Sequence, residues 1–266
     1  MTTCAQTESN NLKGETVPAS QSQTNSTKPL GCKSYGSILH LPNSRLGPSD
    51  RCITEGQARI ATKRRRDKHD RIIVQEKLDG SCVSVAKVNG RIVALGRAGY
   101  LAESSPFEQH HMFAEWVNMN EEAFWFLLNE GERVVGEWIA QAHGTVYRLQ
   151  SWCADPFFAF DLMTGKERLP FDEFRSRVKG FFQTPTLLSD GPPISVAAAM
   201  ERHESLKIPC DQTEGVVYRV ERKGKVDFLC KWVRPSKVDG KLLPKVSGLP
   251  PVWNWHPFNN PRSRAS

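Results

Sequence analysis

Short apolar runs joined by tight turns constrain this chain more than any other feature of it. Val83, Val85 and Val88 lead into Asn89-Gly90, and Ile92-Val93-Ala94-Leu95 returns. Asn-Gly is a hairpin signal because both residues of such a turn take positive φ. Gly215-Val216-Val217-Tyr218-Arg219-Val220 and the run from Val226 to Val233 repeat the arrangement around Lys223-Gly224-Lys225. Arg71-Ile72-Ile73-Val74 reads as a buried strand, and the runs Arg133 to Ile139 and Pro156 to Leu162 as two more. Residues 107–129 have helical character, with Phe107, Met112, Phe113, Trp116, Phe124 and Leu127 expected in the core. Pro170 is expected to open a short helix as its first residue, with Phe171, Phe174 and Val178 on one face. A second short helix is expected around 194–204. Paired strands with few helices predict an α+β fold built on antiparallel sheets.

The 266 residues suit one large domain, or one medium domain with appendages. Hydrophobic content of 39% is enough for a sizeable core, and no apolar run is long enough to predict a membrane span. Residues 1–30 lack the apolar stretch of a secretory signal. They are rich in Ser, Thr, Asn and Gln and bury too little to offset their ordering entropy. The expected organisation is a disordered tail over 1–31, a domain over 32–240 and a short C-terminal extension over 241–266. Tyr35, Ile38, Leu39 and Leu41 would form the first apolar cluster. Seven cysteines at 4, 32, 52, 82, 153, 210 and 230 form no Cys-x-x-Cys pair, which predicts reduced thiols in a cytoplasmic setting. A net charge of +7 favours a polyanionic partner, most simply nucleic acid. The run Lys63-Arg64-Arg65-Arg66-Asp67-Lys68 is either a solvated face or a handle for phosphates beside a pocket.

The chemistry concentrates in Gln75-Glu76-Lys77-Leu78-Asp79-Gly80-Ser81. A lysine at the end of an apolar strand is delivered to a pocket floor, and Gly80 would let the backbone turn closely against a ligand. Such a lysine suits an amine that attacks a phosphate; a surface turn is the plainer alternative. Four more strands carry one charge each: Glu137 after Val134-Val135-Gly136, Asp161 after an aromatic run, Glu214 before an apolar strand, and Lys231 within another. An unpaired charge on a buried strand costs several kcal/mol, so these residues are paired, ligand-facing or on a solvent face.

In their order these segments resemble the covalent nucleotidyltransferase superfamily, which contains polynucleotide ligases and messenger-RNA capping enzymes. Lys77-Leu78-Asp79-Gly80 looks like its motif I, Val135-Gly136-Glu137 like motif III and Phe158-Ala159-Phe160-Asp161 like motif IIIa. Glu214-Gly215-Val216-Val217 looks like motif IV, and Phe228-Leu229-Cys230-Lys231-Trp232 falls where motif V belongs. Glu76 before the lysine, Arg97 in Gly96-Arg97-Ala98-Gly99, and the Phe-Ala-Phe-Asp string point to the RNA ligase 2-like branch. His40-Leu41-Pro42-Asn43-Ser44-Arg45 also looks like the lead-in of some RNA-ligase-like proteins. One departure stands out: the family's motif V offers two lysines one residue apart, whereas Lys231 here is flanked by Leu229 and Val233. Lys231 then acts alone, or Arg234 supplies the second charge.

The resemblance implies a nucleotidyltransferase domain with its nucleotide pocket between the sheets. Lys77 would attack the α-phosphate of ATP, release pyrophosphate and hold AMP as a phosphoramidate. Lys231, Arg97 and a bound Mg²⁺ (or Mn²⁺) would lower the lysine's pKa and neutralise charge in transfer. By the same resemblance Glu76, Lys77, Arg97, Glu137, Phe160 and Lys231 contact the nucleotide. Phe160 would stack on adenine, and Glu76 would read the base edge through its backbone. Glu214 would hold the metal, Glu137 the sugar or a metal-bound water, and Asp79 and Asp161 would orient these groups from behind.

The expected activity joins RNA 3′-hydroxyl and 5′-phosphate ends through lysyl-AMP and an adenylylated 5′ end, as a monomer with room for a partner domain in trans. The alternatives are a DNA-nick ligase, a GTP-using capping enzyme, or a non-catalytic nucleic-acid-binding relative. Only 35 residues follow Lys231, fewer than the oligonucleotide-binding barrel of DNA ligases and capping enzymes needs, which favours the RNA reading. Trp253-Asn254-Trp255-His256 is expected to close an edge of the core, with stacking on bases as its alternative. His110-His111, His143 and His203 have no ligand spacing and are expected to be structural or exposed.

Overall fold

The computed structural model describes residues 27–149 and 155–256. The expected tail falls mostly outside them, as do Cys4 and Cys153. Two five-stranded sheets form the domain. The first sheet holds, in spatial order, β1 (Leu39–His40), β10 (Lys225–Val233), β9 (Gly215–Arg222), β2 (Asp70–Lys77) and β8 (Leu187–Gly191). The second holds β4 (Arg91–Gly96), β3 (Ser81–Val88), β5 (Glu132–Trp138), β6 (Phe157–Thr164) and β7 (Glu167–Arg168). Between these ten strands every pairing is antiparallel except β1 with β10. This is the α+β, antiparallel architecture that the strand pattern predicts. No helix among the described residues is long and apolar enough to cross a membrane.

Strand alternation divides the first sheet into two chemically different faces. Ile72 and Val74 join Val216, Tyr218, Val220 and Cys230 in a cluster that also takes in Ala61 and Ala199. Those two alanines belong to α1 (Glu55–Thr62) and α5 (Val196–Ser205), which cover that face. The opposite face carries Ile73, Gln75 and Lys77. Ile73 enters the main core with Val83, Val85, Val134, Trp138 and Phe157. A slip of one residue in β2 would exchange the two sets and turn Lys77 into the helix-covered face.

The 107–129 segment splits at Asn120 into α2 (Glu108–Met119) and α3 (Glu121–Leu127). Met112, Phe113, Trp116, Phe124 and Leu127 are buried as expected, but Phe107 is 53% exposed. Phe107 caps α2 instead of lying within it, so its side chain precedes the apolar stripe at spacings of three and four. Pro170 likewise sits one position before α4 (Phe171–Val178), whose Phe171, Phe174 and Val178 are buried. The Asn89-Gly90 turn has φ of 51° and 66°, as a two-residue hairpin requires. The second turn is also two residues, Lys223-Gly224, because Lys225 already begins β10.

The basic run is not beside Lys77. It precedes Asp70 at the start of β2, whereas Lys77 ends that strand, roughly 23 Å further on at ~3.3 Å per residue. Arg66 there is held by Asp70 and, at 2.5 Å, by Asp227. At the other terminus, Trp255 packs edge-on against Trp138 at 5.7 Å, and Asn254 donates to the Ile139 carbonyl at 2.8 Å. The chain after 240 therefore closes over the segment following β5, the edge-closing role expected of its tryptophans. The five described cysteines are free thiols.

Candidate active site

Both sheets line one cavity. Gln75, Lys77, Val217, Arg219, Leu229 and Lys231 come from the first sheet, and Cys82, Glu137 and Phe160 from the second. Arg97, just past β4, also lines it and donates to Ser37 Oγ at 3.0 Å. Thus Lys77, Arg97, Glu137, Phe160 and Lys231 converge from five separate segments.

Lys77 Nζ donates to Glu214 Oε2 at 2.7 Å and to the Leu78 carbonyl at 3.2 Å. Glu214, immediately before β9, faces Lys77 because Lys77 pairs with Gly215 across the strands. Gly80 N donates to Glu137 Oε1 at 3.0 Å, tying motif-like turn to β5. A protein contact by itself requires the glycine, which also lines the cavity: a Cβ there would lie 2.4 Å from the Trp138 carbonyl oxygen. Asp79 sits below, accepting from Gly144 N at 2.9 Å while its own N–H donates to the Tyr147 hydroxyl at 2.9 Å.

The charges do not act as the sequence suggests. Burial pushes the Lys77 pKa down, but the Glu214, Glu137 and Asp79 carboxylates outweigh it and hold the ammonium well above the usual lysine value. The expected depression falls on Lys231 instead, through burial and the nearby Lys77 ammonium. Lys77 has the Glu214 carboxylate at 2.7 Å, and at ~4 Å or less such a neighbour dominates more distant cations. Glu137 is pushed up to about 7, by burial first; Lys77 opposes the shift and Glu214 adds to it.

Glu76 lines the same cavity. Its side chain points away from Lys77, and its carboxylate accepts from Thr186 N at 2.7 Å, from Thr186 Oγ1 at 2.6 Å and pairs with His203 Nε2 at 3.1 Å. Its backbone N–H is given to the Thr186 carbonyl at 3.0 Å. Asp161 is fully buried and accepts from Tyr35 at 2.7 Å, Arg168 at 3.0 Å and Arg219 at 2.6 Å. Phe160 is the extra residue of a bulge in β6, where Asp161 pairs with Val135 and Ala159 with Gly136. The bulge lets consecutive Phe160 and Asp161 both reach Tyr35, whose ring lies 5.2 Å from that of Phe160. Arg234 donates to Ser236 and does not line the cavity. His203, His143 and His110 are held by neighbouring side chains, Thr213, Gln109 and Ser105 respectively.

The residue that sequence reasoning missed is Lys237. It is buried, ion-paired with Asp79, and its Nζ is 3.5 Å from Glu214 Oε1. Glu214 is therefore held between two ammonium groups, Lys77 on one oxygen and Lys237 on the other. Nothing in the stretch after β10 signals this; Lys237 meets Asp79 only because the chain folds back beneath the lysine. Removing one partner of a buried pair strands the other charge. Lys237→Met is expected to lower the unfolding free energy by roughly 3 kcal/mol, and Lys237→Arg by less, as read by urea titration. Arg219 and Tyr35 were also not singled out, yet both line the cavity and both are held by Asp161.

The pocket between the two sheets thus holds one lysine beside carboxylates, with further cations on its wall. Residues 70–233, more than half of the chain and including Lys77, Glu137, Glu214 and Lys231, match the RNA ligase family, and the chain belongs to that family. Among solved structures, it is similar to an archaeal ATP-dependent RNA ligase, at 20% identity and a TM-score of 0.44 over 75% of this chain and 48% of that one. A mutant Naegleria gruberi RNA ligase with ATP and Mn gives 21% identity and 0.44 over 63% of this chain and 50% of that one. The chain thus spans about half the length of these structures. No curated protein matches it.

Proposed function

We propose that this protein is an ATP-dependent RNA ligase that joins a 3′-hydroxyl to a 5′-phosphate through a lysyl-AMP intermediate. The observation that carries the reading is the family match across residues 70–233, with Lys77 inside it and ion-paired to Glu214 at the cavity. In the first step Lys77 Nζ, once neutral, forms a bond to the α-phosphorus of ATP. The bond to the bridging oxygen breaks, its electron pair leaves with pyrophosphate, and Glu214 Oε2 is the acceptor in reach of the amine proton. Lys231 and Arg97 are fixed cations on the cavity wall that stabilise charge growing on the phosphate oxygens. The adenylate then passes to an RNA 5′-phosphate, and the 3′-hydroxyl displaces AMP.

Glu214 and Glu137 offer hard oxygens suited to Mg²⁺ or Mn²⁺, although no cluster of three or more His, Cys, Asp or Glu ligands converges among the described residues. That donor set fits an ion held by one or two carboxylates and completed by water and phosphate oxygens. When bound, such an ion supplies positive charge that competes with the ammonium for these carboxylates. Incubation with labelled ATP and Mg²⁺, followed by peptide mapping and then by nicked RNA or DNA, tests the proposal. An AMP adduct at Lys77 and sealing of RNA ends are expected. Lack of any adduct would overturn it, and sealing of DNA nicks alone would redirect it to a DNA ligase.

A further inference from the structure

We infer that the basic corner at the start of β2 is a second contact for RNA, one that grips the phosphate backbone of a duplex arm away from the joint. RNA as the polyanion rests on the reading proposed above. Two segments distant in sequence build this corner, and the sheet register brings them together. Asp70, where residues 63–69 enter β2, pairs with Arg222, and Arg222 pairs on its other side with Lys225. Lys223 and Gly224, both at positive φ, turn the chain between Arg222 and Lys225.

An ion-pair net fixes the corner. Arg222 donates to Asp67 Oδ2 at 2.6 Å and to Asp70 Oδ1 at 2.9 Å. Arg66 joins Asp70, at 2.8 Å, to Asp227, at 2.5 Å. Asp67 also accepts from His69 N at 2.8 Å, which holds the backbone of the loop. These three carboxylates are thereby occupied by Arg66 and Arg222. Lys63, Arg64, Arg65, Lys68, Lys223 and Lys225 are all exposed, and none forms an ion pair among the described residues. Like charges gathered on a rigid corner repel one another, and a polyanion relieves that repulsion while releasing its own counterions. Within 63–70 and 222–227 no large hydrophobic side chain is exposed, whereas a site for a membrane surface would present some. Guanidinium and ammonium groups alone contact phosphates and read no base, so the grip is independent of sequence.

Asp70 and Lys77 are the two ends of one strand, roughly 23 Å apart at ~3.3 Å per residue. At ~3.4 Å per nucleotide step that is roughly seven steps, so a shorter arm cannot touch both.

The test titrates fluorescent nicked RNA duplexes with the full chain in the absence of ATP, lengthening one arm at a time. Wild-type affinity is expected to rise by at least about tenfold once one arm passes about seven base pairs, with the log–log salt slope steepening by about two or three. The triple variant Arg64→Gln, Arg65→Gln, Lys68→Gln is expected to lose both gains. It should still adenylate Lys77 at the wild-type rate, because the three side chains are exposed and outside the cavity. A wild-type affinity independent of arm length overturns the inference and needs no variant to fold. RNA binding unchanged in the triple variant overturns it too. If that variant instead loses binding to phosphatidylserine vesicles while RNA binding stays intact, the corner belongs to a membrane and the inference falls. Failure of Lys77 to take up AMP sinks the ligase reading but leaves these binding measurements standing, so the two failures are distinct.

Discussion

Lys77→Ala, incubated with ATP and Mg²⁺, is expected to carry no AMP, a loss of at least about four orders of magnitude in adduct formation. Lys77→Arg should fail equally, because a guanidinium stays charged at any working pH and offers no lone pair. Both variants should remain folded. In Lys77→Ala the Glu214 carboxylate keeps its second ammonium, Lys237, so the site is not left with an unpaired acid. The wild-type rate should rise with pH across about 6 to 8. The amine must shed a proton that Glu214, Glu137 and Asp79 hold on to, so its neutral fraction grows with pH throughout that range. The folded protein binds the Glu137 proton more tightly than the unfolded chain does. Its contribution therefore favours folding at low pH and is lost as pH rises from the ordinary carboxyl value through about 7. A rate that falls over that range, measured by labelled-AMP transfer, would contradict this account of the amine.

Gly80→Ala is expected to be strongly disruptive for so small a substitution. The new methyl group would sit 2.4 Å from the Trp138 carbonyl oxygen and 3.0 Å from Ile139 Cγ2, and neither backbone nor buried core can yield cheaply. The expected cost is about 3 kcal/mol or more, seen as a lower urea midpoint. Activity should fall further than stability alone would dictate. Moving residue 80 away from β5 breaks the Gly80 N–H bond to Glu137 and shifts Asp79, which anchors Lys237 and through it Glu214. A variant that keeps wild-type stability and wild-type adenylation would show that this crossing tolerates a Cβ.

Much of this architecture is legible in the chain because it depends on local pattern. Alternation along β2 sets which side chains accompany Lys77, and Asn89-Gly90 specifies its hairpin through two positive φ angles. The charges at Glu137, Asp161, Glu214 and Lys231 stand out because a strand interior normally excludes them. Phe107 was misplaced since a hydrophobic residue just ahead of a helix cannot be told from one inside it without the cap. The basic run at 63–68 looked close to Lys77 in sequence, but an extended strand carries the two to opposite ends.

Local sequence alone determined the two hairpins, the segment that carries Lys77 and the family to which it belongs, since periodicity and turn chemistry act over a few residues. Only the folded chain decided the electrostatics. Lys237 reaches Asp79 and Glu214 from far along the chain, and the β6 bulge brings Phe160 and Asp161 to Tyr35. Charge interactions fall off with distance in space, not along the chain, so the state of the Lys77 amine is a property of that assembly.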